Sequence, residues 1–400
     1  MHNSQVFRNV KSWKRSVHAA VAVLAKFYLK LLPNVQVIAI TGSVGKTLTQ
    51  NAIYSVLSQK YKTVVGSEDL DPTFRIPQTI LRTRPWDKYL VLEYGVEHPG
   101  DMDYYLDLVK PQIGIITTIA STHTKYFGSE KGVFEEKSKL IKALGSQDTA
   151  ILNSEDKYSF NLKKQTKAKI IWFGTNSKNG VKIYHFRQDL KEAKFSLHYH
   201  SQKDVVSWKI IGQHHLLSAY IACAVGIACG LTLKQIAKGL SQVKPPAHRL
   251  NIHIGKKFSV IADTYNSSPK AALEAINTLL ELGKRRKKIV ILGEMKDLGK
   301  LSSSSHQDLG KKIAKNQINY LVTVGKVASS IAAAAKSNSF KGGIIEAENT
   351  NQAAKAAKKL IDRNSLILVK GSRHSHLERI VYALLGKSTQ IKCYHCGSLS

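Results

Sequence analysis

Four hundred residues are enough for two or three domains, each with a core of its own. An apolar share of 43% is that of an ordinary globular protein, and four cysteines in so long a chain exclude a disulfide scaffold. A net charge of +32 suits acidic ligands such as nucleotides, nucleic acid or anionic lipid. The basic residues are scattered, however. The one dense run, Lys284-Arg-Arg-Lys-Lys288, sits just before an apolar strand and reads as a solvated loop rather than a nucleic-acid patch.

Residues 1–33 predict a basic amphipathic helix. Val17, Ala20, Val21, Leu24, Phe27 (or Tyr28) and Leu31 recur at helical spacing, while Lys11, Lys14, Arg15, His18, Lys26 and Lys30 gather on the other side. The apolar stretch is too short to span a bilayer, and no small-residue cleavage site follows. A cytoplasmic chain is expected, with the apolar face of this helix packed on the domain behind it. A peripheral place on the inner, anionic face of the membrane is the alternative.

Val35 to Ile40 is β-branched and apolar enough for a buried parallel strand, and Leu48 to Gln59 reads as a helix. Between them stands Thr41-Gly-Ser-Val-Gly-Lys-Thr47. Gly42 and Gly45 let backbone N–H groups turn inward, and the helix N-terminus adds its positive dipole. Lys46 can then reach terminal phosphates and the Thr47 hydroxyl can ligate magnesium. The usual phosphate loop has glycine where Ile40 stands, so this is a shorter variant.

A turn-rich segment from Gly66 to Pro77 precedes the strand Tyr89–Glu93. Glu93 ends that strand on the same sheet edge as the glycine turn, where a carboxylate can hold magnesium opposite Thr47. Next come a helix from Gly100 to Val109, a strand from Ile113 to Thr117, Ser121-Thr-His123 at its end, and a helix from Glu130 to Leu144. Taken alone, His123 reads as a loop hydrogen-bonder and Lys137 as a solvated surface lysine. From Asn153 to Ile211 helical order gives way to short alternating strands, among them Lys182–Phe186 and Phe195–Tyr199. Gly212-Gln-His-His215 opens a helix to about Gly230 whose Cys223 and Cys229 are expected in the core, and a second helix covers Leu233 to Leu240.

Lys244-Pro-Pro-Ala-His-Arg249 is the linker. Beyond it the strands Phe258–Ala262, Lys288–Leu292, Tyr320–Val324, Gly343–Glu346 and Ser365–Val369 alternate with helices, as in a second, mostly parallel α/β unit. The expected organisation is a helix at 1–33, a central domain carrying the phosphate loop at 34–245, a C-terminal domain at 246–390 and a tail at 391–400. Cys393-Tyr-His-Cys396 in that tail lacks a second ligand pair and reads as two free thiols.

Several of these stretches match one pattern in order. They are TGSVGKT, Glu93 with Glu97-His-Pro-Gly-Asp101, His123 with Phe127-Gly-Ser129, and Lys137. Then follow His248-Arg249, Asp263-Thr-Tyr-Asn-Ser-Ser-Pro269, Leu292-Gly-Glu-Met-Lys-Asp-Leu-Gly299 and Val369-Lys-Gly-Ser-Arg373. Over residues 36–386 the chain resembles the Mur ligase family, within it the branch that joins D-alanyl-D-alanine to a UDP-linked muramoyl tripeptide. The resemblance implies an α/β fold: a P-loop central domain with a mostly parallel sheet, and a C-terminal Rossmann-like domain. It implies a monomeric ATP-dependent peptide ligase of peptidoglycan precursor synthesis that works through an acyl phosphate.

The roles it implies follow the matched positions. Thr41, Gly42, Ser43, Val44, Gly45, Lys46 and Thr47 would hold the nucleotide phosphates, with His214 in the segment near the adenine. Thr47 and Glu93 would hold one Mg2+, and His123 with a carbamylated Lys137 a second. Arg249 would reach the γ-phosphate, and Asp263 with Asn266 the ribose. Asp69, Asp71, Lys370 and Arg373 would meet the substrates, and domain closure would exclude water.

The departures fall on the parts that choose a substrate. The phosphate loop begins near residue 37, leaving room before it for a helix where relatives of that branch carry a UDP-sugar-binding domain. Arg75 stands where glycine is usual, Thr118 replaces an asparagine, His215 and Ser218 replace asparagines near the adenine, and Ser268 replaces another. A ligase for a different carboxylate acceptor, or a nucleotide-binding scaffold without turnover, are the competing expectations.

Overall fold

The computed structural model describes residues 12–66, 72–175 and 180–387, and these fall into two compact units. The first runs to Arg187 and takes in Ala193–Lys209 and His214–Lys244. The second comprises Gln188–Glu192, Ile210–Gln213 and the chain from Pro245 onward. Cys393 and Cys396 lie outside the described residues.

In the first unit helix α1 (Ser12–Lys30) leads into β1 (Gln36–Thr41), α2 (Lys46–Leu57), β2 (Thr63–Val65), α3 (Pro72–Arg82), β3 (Tyr89–Glu93), α4 (Asp101–Leu108) and β4 (Ile113–Ile116). The short α5 (Thr124–Phe127) and α6 (Glu130–Lys142) precede β5 (Thr149–Asn153), α7 (Lys157–Lys163) and β6 (Lys169–Phe173). These six strands form one parallel sheet in the order β2-β3-β1-β4-β5-β6. β1 is buried from Val37 to Thr41 because it lies in mid-sheet with layers on both faces, hence its unbroken apolar run. Strands β7 (Lys182–Gln188), β8 (Ala193–Tyr199) and β9 (Gln202–Trp208) make a separate sheet, in which Phe195 and Trp208 meet edge to face. Helices α8 (Leu216–Ala228) and α9 (Leu233–Ser241) follow. α9 reaches α2 at Gly239, where a Cβ would stand 2.6 Å from the Val56 Cα, so the contact requires glycine. Cys223 and Cys229 are buried as expected.

Four sequence expectations change here. The segment ending at Pro77 is not a run of turns: α3 begins at Pro72 and carries Pro77 inside it. Proline removes one backbone hydrogen bond, but α3 buries Ile76 and Ile80 in the core, and that burial decides its conformation. The region after Asn153 contains a helix, α7, started by the Asp156 side chain accepting from the Tyr158 N–H. The helix expected from Gly212 begins only at Leu216, after a 3-10 turn over Gln213–His215.

The fourth concerns α1. The face that packs on the domain is the one bearing His18 and Ala25, with Ala22, Tyr28 and Leu29 beside them and Leu32 buried just past the helix. His18 Nε2 meets the Tyr104 hydroxyl at 2.9 Å, the Tyr28 hydroxyl donates to the Thr83 carbonyl, and Lys26 pairs with Asp107 at 2.7 Å. The stripe expected to pack is exposed instead: Val17 55%, Leu24 58%, Phe27 61% and Leu31 75%. The hydrogen bonds of His18 and Tyr28 go with the face that carries Ala22 and Ala25, and Val17, Leu24 and Phe27 are turned outward. No helix among the described residues is long and apolar enough to cross a membrane.

The second unit holds β10 (Asn251–Ile254), β11 (Phe258–Asp263), α10 (Pro269–Leu282), β12 (Lys287–Leu292), α11 (Ser302–Ala314), β13 (Tyr320–Val324), α12 (Ser329–Ser337), β14 (Gly343–Ala347), α13 (Thr350–Leu360), β15 (Ser365–Lys370) and α14 (Glu378–Leu384). The sheet order is β10-β11-β15-β12-β13-β14, parallel except for β10 against β11. Alternate residues feed two cores: Ile261, Val290 and Leu368 on one face, Val260, Ile289 and Ile367 on the other. The basic run at 284–288 is not wholly solvated. Lys288 is buried in β12, its ammonium donating to the Gly283 and Arg286 carbonyls at 3.1 and 3.2 Å. Long lysine stems can enter an apolar layer while carbonyls satisfy the head group.

Candidate active site

In the first unit the strand order reverses around β1, whose neighbours are β3 and β4. Ligands of open α/β sheets bind at the carboxyl ends of strands at such a point. The ends of these three strands carry Glu93, the glycine turn, and Thr117. Thr117 ties the turn down: its hydroxyl donates to the Val44 carbonyl at 2.7 Å and its N–H to Thr41. The Ser43 N–H donates to the Thr118 carbonyl at 2.8 Å, and the Ser43 hydroxyl to that of Ala120. Gly42 has φ +145°, and a Cβ there would lie 2.0 Å from the Thr117 Oγ1. Gly45, left-handed at φ +84°, precedes the first turn of α2. Ser218, one of the asparagine replacements, is buried and bonds the Thr49 hydroxyl at 2.9 Å.

The charged groups gather on this frame. Lys46 Nζ donates to the Gly42 carbonyl at 3.1 Å, folding back over the turn. The Thr47 hydroxyl donates to Glu93 Oε2 at 3.0 Å. The same oxygen lies 3.5 Å from Nη2 of Arg75, a buried residue of α3. Thr47 and Glu93 supply the hard-oxygen donors that magnesium takes, and a nucleotide-bound magnesium needs few from the protein. No group of three or more His, Cys, Asp or Glu side chains arranged to hold a metal occurs among the described residues.

Lys137 and His123 stand within electrostatic reach of Lys46. Lys137 is 1% exposed, not a surface lysine, and donates from Nζ to the Val96 carbonyl at 3.1 Å. Burial, and then the Lys46 charge, lower its pKa from 10.5 to about 7, against the pull of Glu97, Asp101 and Glu136. His123 caps α5 with φ +54°. Burial, then Lys137, Lys46 and His98, push its pKa from 6.5 down to about 3, so its imidazole is neutral, the form that binds metals. The turn beneath them is braced by carboxylates: Asp101 Oδ2 accepts the N–H groups of Glu97 and His98, and Glu136 Oε1 those of Gly100 and Met102.

A second group lies at the carboxyl ends of β11 and β15 in the other unit, where Asp263 faces Lys370 in register. Lys370, 1% exposed, pairs with Asp263 at 2.7 Å and donates to the Asn266 carbonyl at 2.9 Å. The Arg249 guanidinium lies over the Tyr265 ring at 4.1 Å. Arg373 lies 3.5 Å from Glu378, and burial with the Arg373 charge lowers the pKa of His248. His214, in the first unit, lies against His215, the rings tilted with centroids 4.1 Å apart. Asp69 and Asp71 lie outside the described residues. Thr117 and Glu136 escaped the sequence reading because neither type nor spacing marks them, and Arg75 registered there only as a missing glycine. Two prolines around Arg75 hid the helical period that would have shown it facing inward.

Comparison with known proteins places these sites in context. The chain matches the Mur ligase middle domain over residues 40–226 and the Mur ligase glutamate ligase domain over 248–373. It is 30% identical, over 93% of its length and 84% of the relative's, to the UDP-N-acetylmuramoyl-tripeptide–D-alanyl-D-alanine ligase of Bacillus subtilis. The MurF crystal structure from Acinetobacter baumannii superposes with a TM-score of 0.85 at 28% identity, covering 92% of this chain and 81% of that one. The Thermotoga maritima MurF ligase, solved in complex with ADP, shares the fold with a TM-score of 0.81 at 22% identity, covering 92% of this chain and 84% of that one.

The depressed pKa of His123 makes folding pH-dependent. Between about 3 and 6.5 the unfolded chain binds a proton at this position that the folded chain does not. Its share of stability is therefore intact above pH 6.5 and falls as pH drops toward 3. Denaturant midpoints of the nucleotide-free protein should fall less between pH 7 and pH 5 in His123→Asn than in wild type. Equal falls would remove this account.

Proposed function

This chain belongs to the Mur ligase family, and we propose that it is an ATP-dependent ligase joining D-alanyl-D-alanine to a UDP-N-acetylmuramoyl-tripeptide through an acyl phosphate. The observation that carries this reading is the Thr47–Glu93 contact at the head of the glycine turn, with Lys46 beside it. In the reaction the tripeptide carboxylate takes the γ-phosphoryl group of ATP, releasing ADP. The dipeptide amine then attacks the acyl carbon, forming the amide and releasing phosphate and a proton.

Each residue has one task in this scheme. The backbone of 41–47 cradles phosphates, and Lys46 offsets their charge without a proton transfer. Thr47 and Glu93 would hold one magnesium ion, and His123 with a modified Lys137 a second. When bound, such ions neutralise charge developing on the transferred phosphoryl oxygens. His214 of the first unit and Arg249, Asp263 and Asn266 of the second would serve the nucleotide, and Lys370 and Arg373 the substrates.

A lysine ammonium cannot ligate a cation, so Lys137 must change. A neutral amine adds to carbon dioxide, forming an N–C bond and releasing one proton, and the product is a carboxylate-like carbamate. An amine titrating near 7 is about half neutral at pH 7, whereas one at 10.5 is almost wholly protonated. The burial that depresses this pKa thus favours the modification.

Peripheral membrane contact through α1 belongs to the same proposal, with anionic lipid as the occupant of its outer face. Its support is the exposed apolar stripe together with charge. Ser12–Lys30 contains no acidic residue, and Arg15 and Lys30 are exposed.

Three outcomes follow. Phosphate release should require both the muramoyl tripeptide and D-alanyl-D-alanine, and should drop about 10²-fold or more in Lys46→Ala; release without either substrate would refute the assigned reaction. Lys137→Ala should be inactive and regain activity with short-chain carboxylic acids, and wild type should slow when carbon dioxide is stripped from the buffer; neither response would be seen if Lys137 stays an amine. The protein should sediment with phosphatidylglycerol vesicles at low salt but not with neutral ones, and Leu24→Asp with Phe27→Asp should abolish this. Equal sedimentation of that double variant would rule α1 out as the contact.

A further inference from the structure

We propose that Arg75 is a resident counter-cation for Glu93 that makes metal entry conditional on the nucleotide. The inference rests on the reading that Thr47 and Glu93 hold the ion. Arg75 is 6% exposed, and its Nη2 stands 3.5 Å from the very carboxylate oxygen that accepts from the Thr47 hydroxyl. It is held there by packing on both sides. α3 is anchored through Ile76 and Ile80 in the core. The arginine stem crosses Gly66, where a Cβ would meet Cδ at 2.9 Å and Cγ at 3.0 Å, so the path of the side chain needs a residue without one.

A carboxylate taken out of water needs a compensating charge. Here the guanidinium supplies it before any ligand arrives. A divalent ion binding to Glu93 would add two positive charges beside one that is already buried, and such repulsion is far stronger than in water. Nucleotide phosphates bring enough negative charge to accommodate both cations. Arg75 therefore opposes the bare ion and tolerates the metal–nucleotide complex. Lys46, close by, adds to the same positive field and sharpens the dependence.

The test is Mn2+ binding to the full chain, read by electron paramagnetic resonance, with and without the β,γ-imido analogue of ATP. Arg75→Met should tighten nucleotide-free Mn2+ binding by about tenfold or more while changing binding in the presence of the analogue much less. Arg75→Lys, which keeps the charge, should stay close to wild type. Thermal melting gives a second readout: Arg75→Met should melt lower when ligand-free, and Mn2+ alone should restore it. The proposal is overturned by unchanged nucleotide-free affinity in Arg75→Met, by tightening in Arg75→Lys as large as in Arg75→Met, or by a loss of fold that Mn2+ does not reverse. Glu93→Gln tests the underlying reading separately. If it binds Mn2+ with the analogue as well as wild type does, the ion is not on Glu93, whatever the Arg75 variants show.

Discussion

Glu93 is a carboxylate placed at the end of a fully buried strand, and the architecture around the glycine turn is arranged to make that tolerable. One of its oxygens is shared by a hydroxyl from α2 and a guanidinium from α3. That single point links the strand bearing the acid, the helix that follows the turn, and a helix whose start lies past a segment rich in turn residues. Removing either partner takes from the other a buried opposite charge 3.5 Å away. The turn itself is fixed from the opposite side by Thr117, so it is held between β3 and β4.

The positive charges are the other half of this arrangement. Lys46, Lys137 and His123 sit in one region, and burial first, then their mutual charge, is visible in the titrating groups. Lys137 loses its proton more readily and His123 scarcely accepts one. Such an environment favours incoming polyanions and disfavours additional cations. It also leaves Lys137 closer to a neutral amine and His123 a neutral imidazole, the states that the proposed metal site would use. Asp101 and Glu136 share the neighbourhood, but they are spent on backbone N–H groups and brace the turn. Asp101 itself has a raised pKa through burial.

The second unit answers with a different economy. Its lysine and aspartate at the strand ends are paired directly, Lys370 on Asp263, so the edge carries little net charge of its own. Arginines at 249 and 373 are placed by a tyrosine ring and a buried glutamate. Both units thus present basic groups at the carboxyl ends of parallel strands.

Sequence alone determined the α/β class, the glycine turn with Lys46 and Thr47, the strand that delivers Glu93, and the alternating strands and helices of the second unit. These are local properties: apolar runs, glycine positions and helix starts act over a few residues and leave a trace in composition. Motif order also singled out His123 and Lys137, whose residue types alone suggested only a loop and a surface. The tertiary structure decided what depends on neighbours distant in the chain. It turned a segment punctuated by proline into a helix, because Ile76 and Ile80 could be buried. It rotated α1 so that His18, Ala25 and Tyr28 face the domain while Val17, Leu24 and Phe27 face outward. It brought Arg75 against Glu93, and it buried Lys137 near Lys46. Burial and charge proximity set both the pairing and the pKa shifts, and neither is written in the residues one by one, because each is a property of which groups the fold takes out of water together.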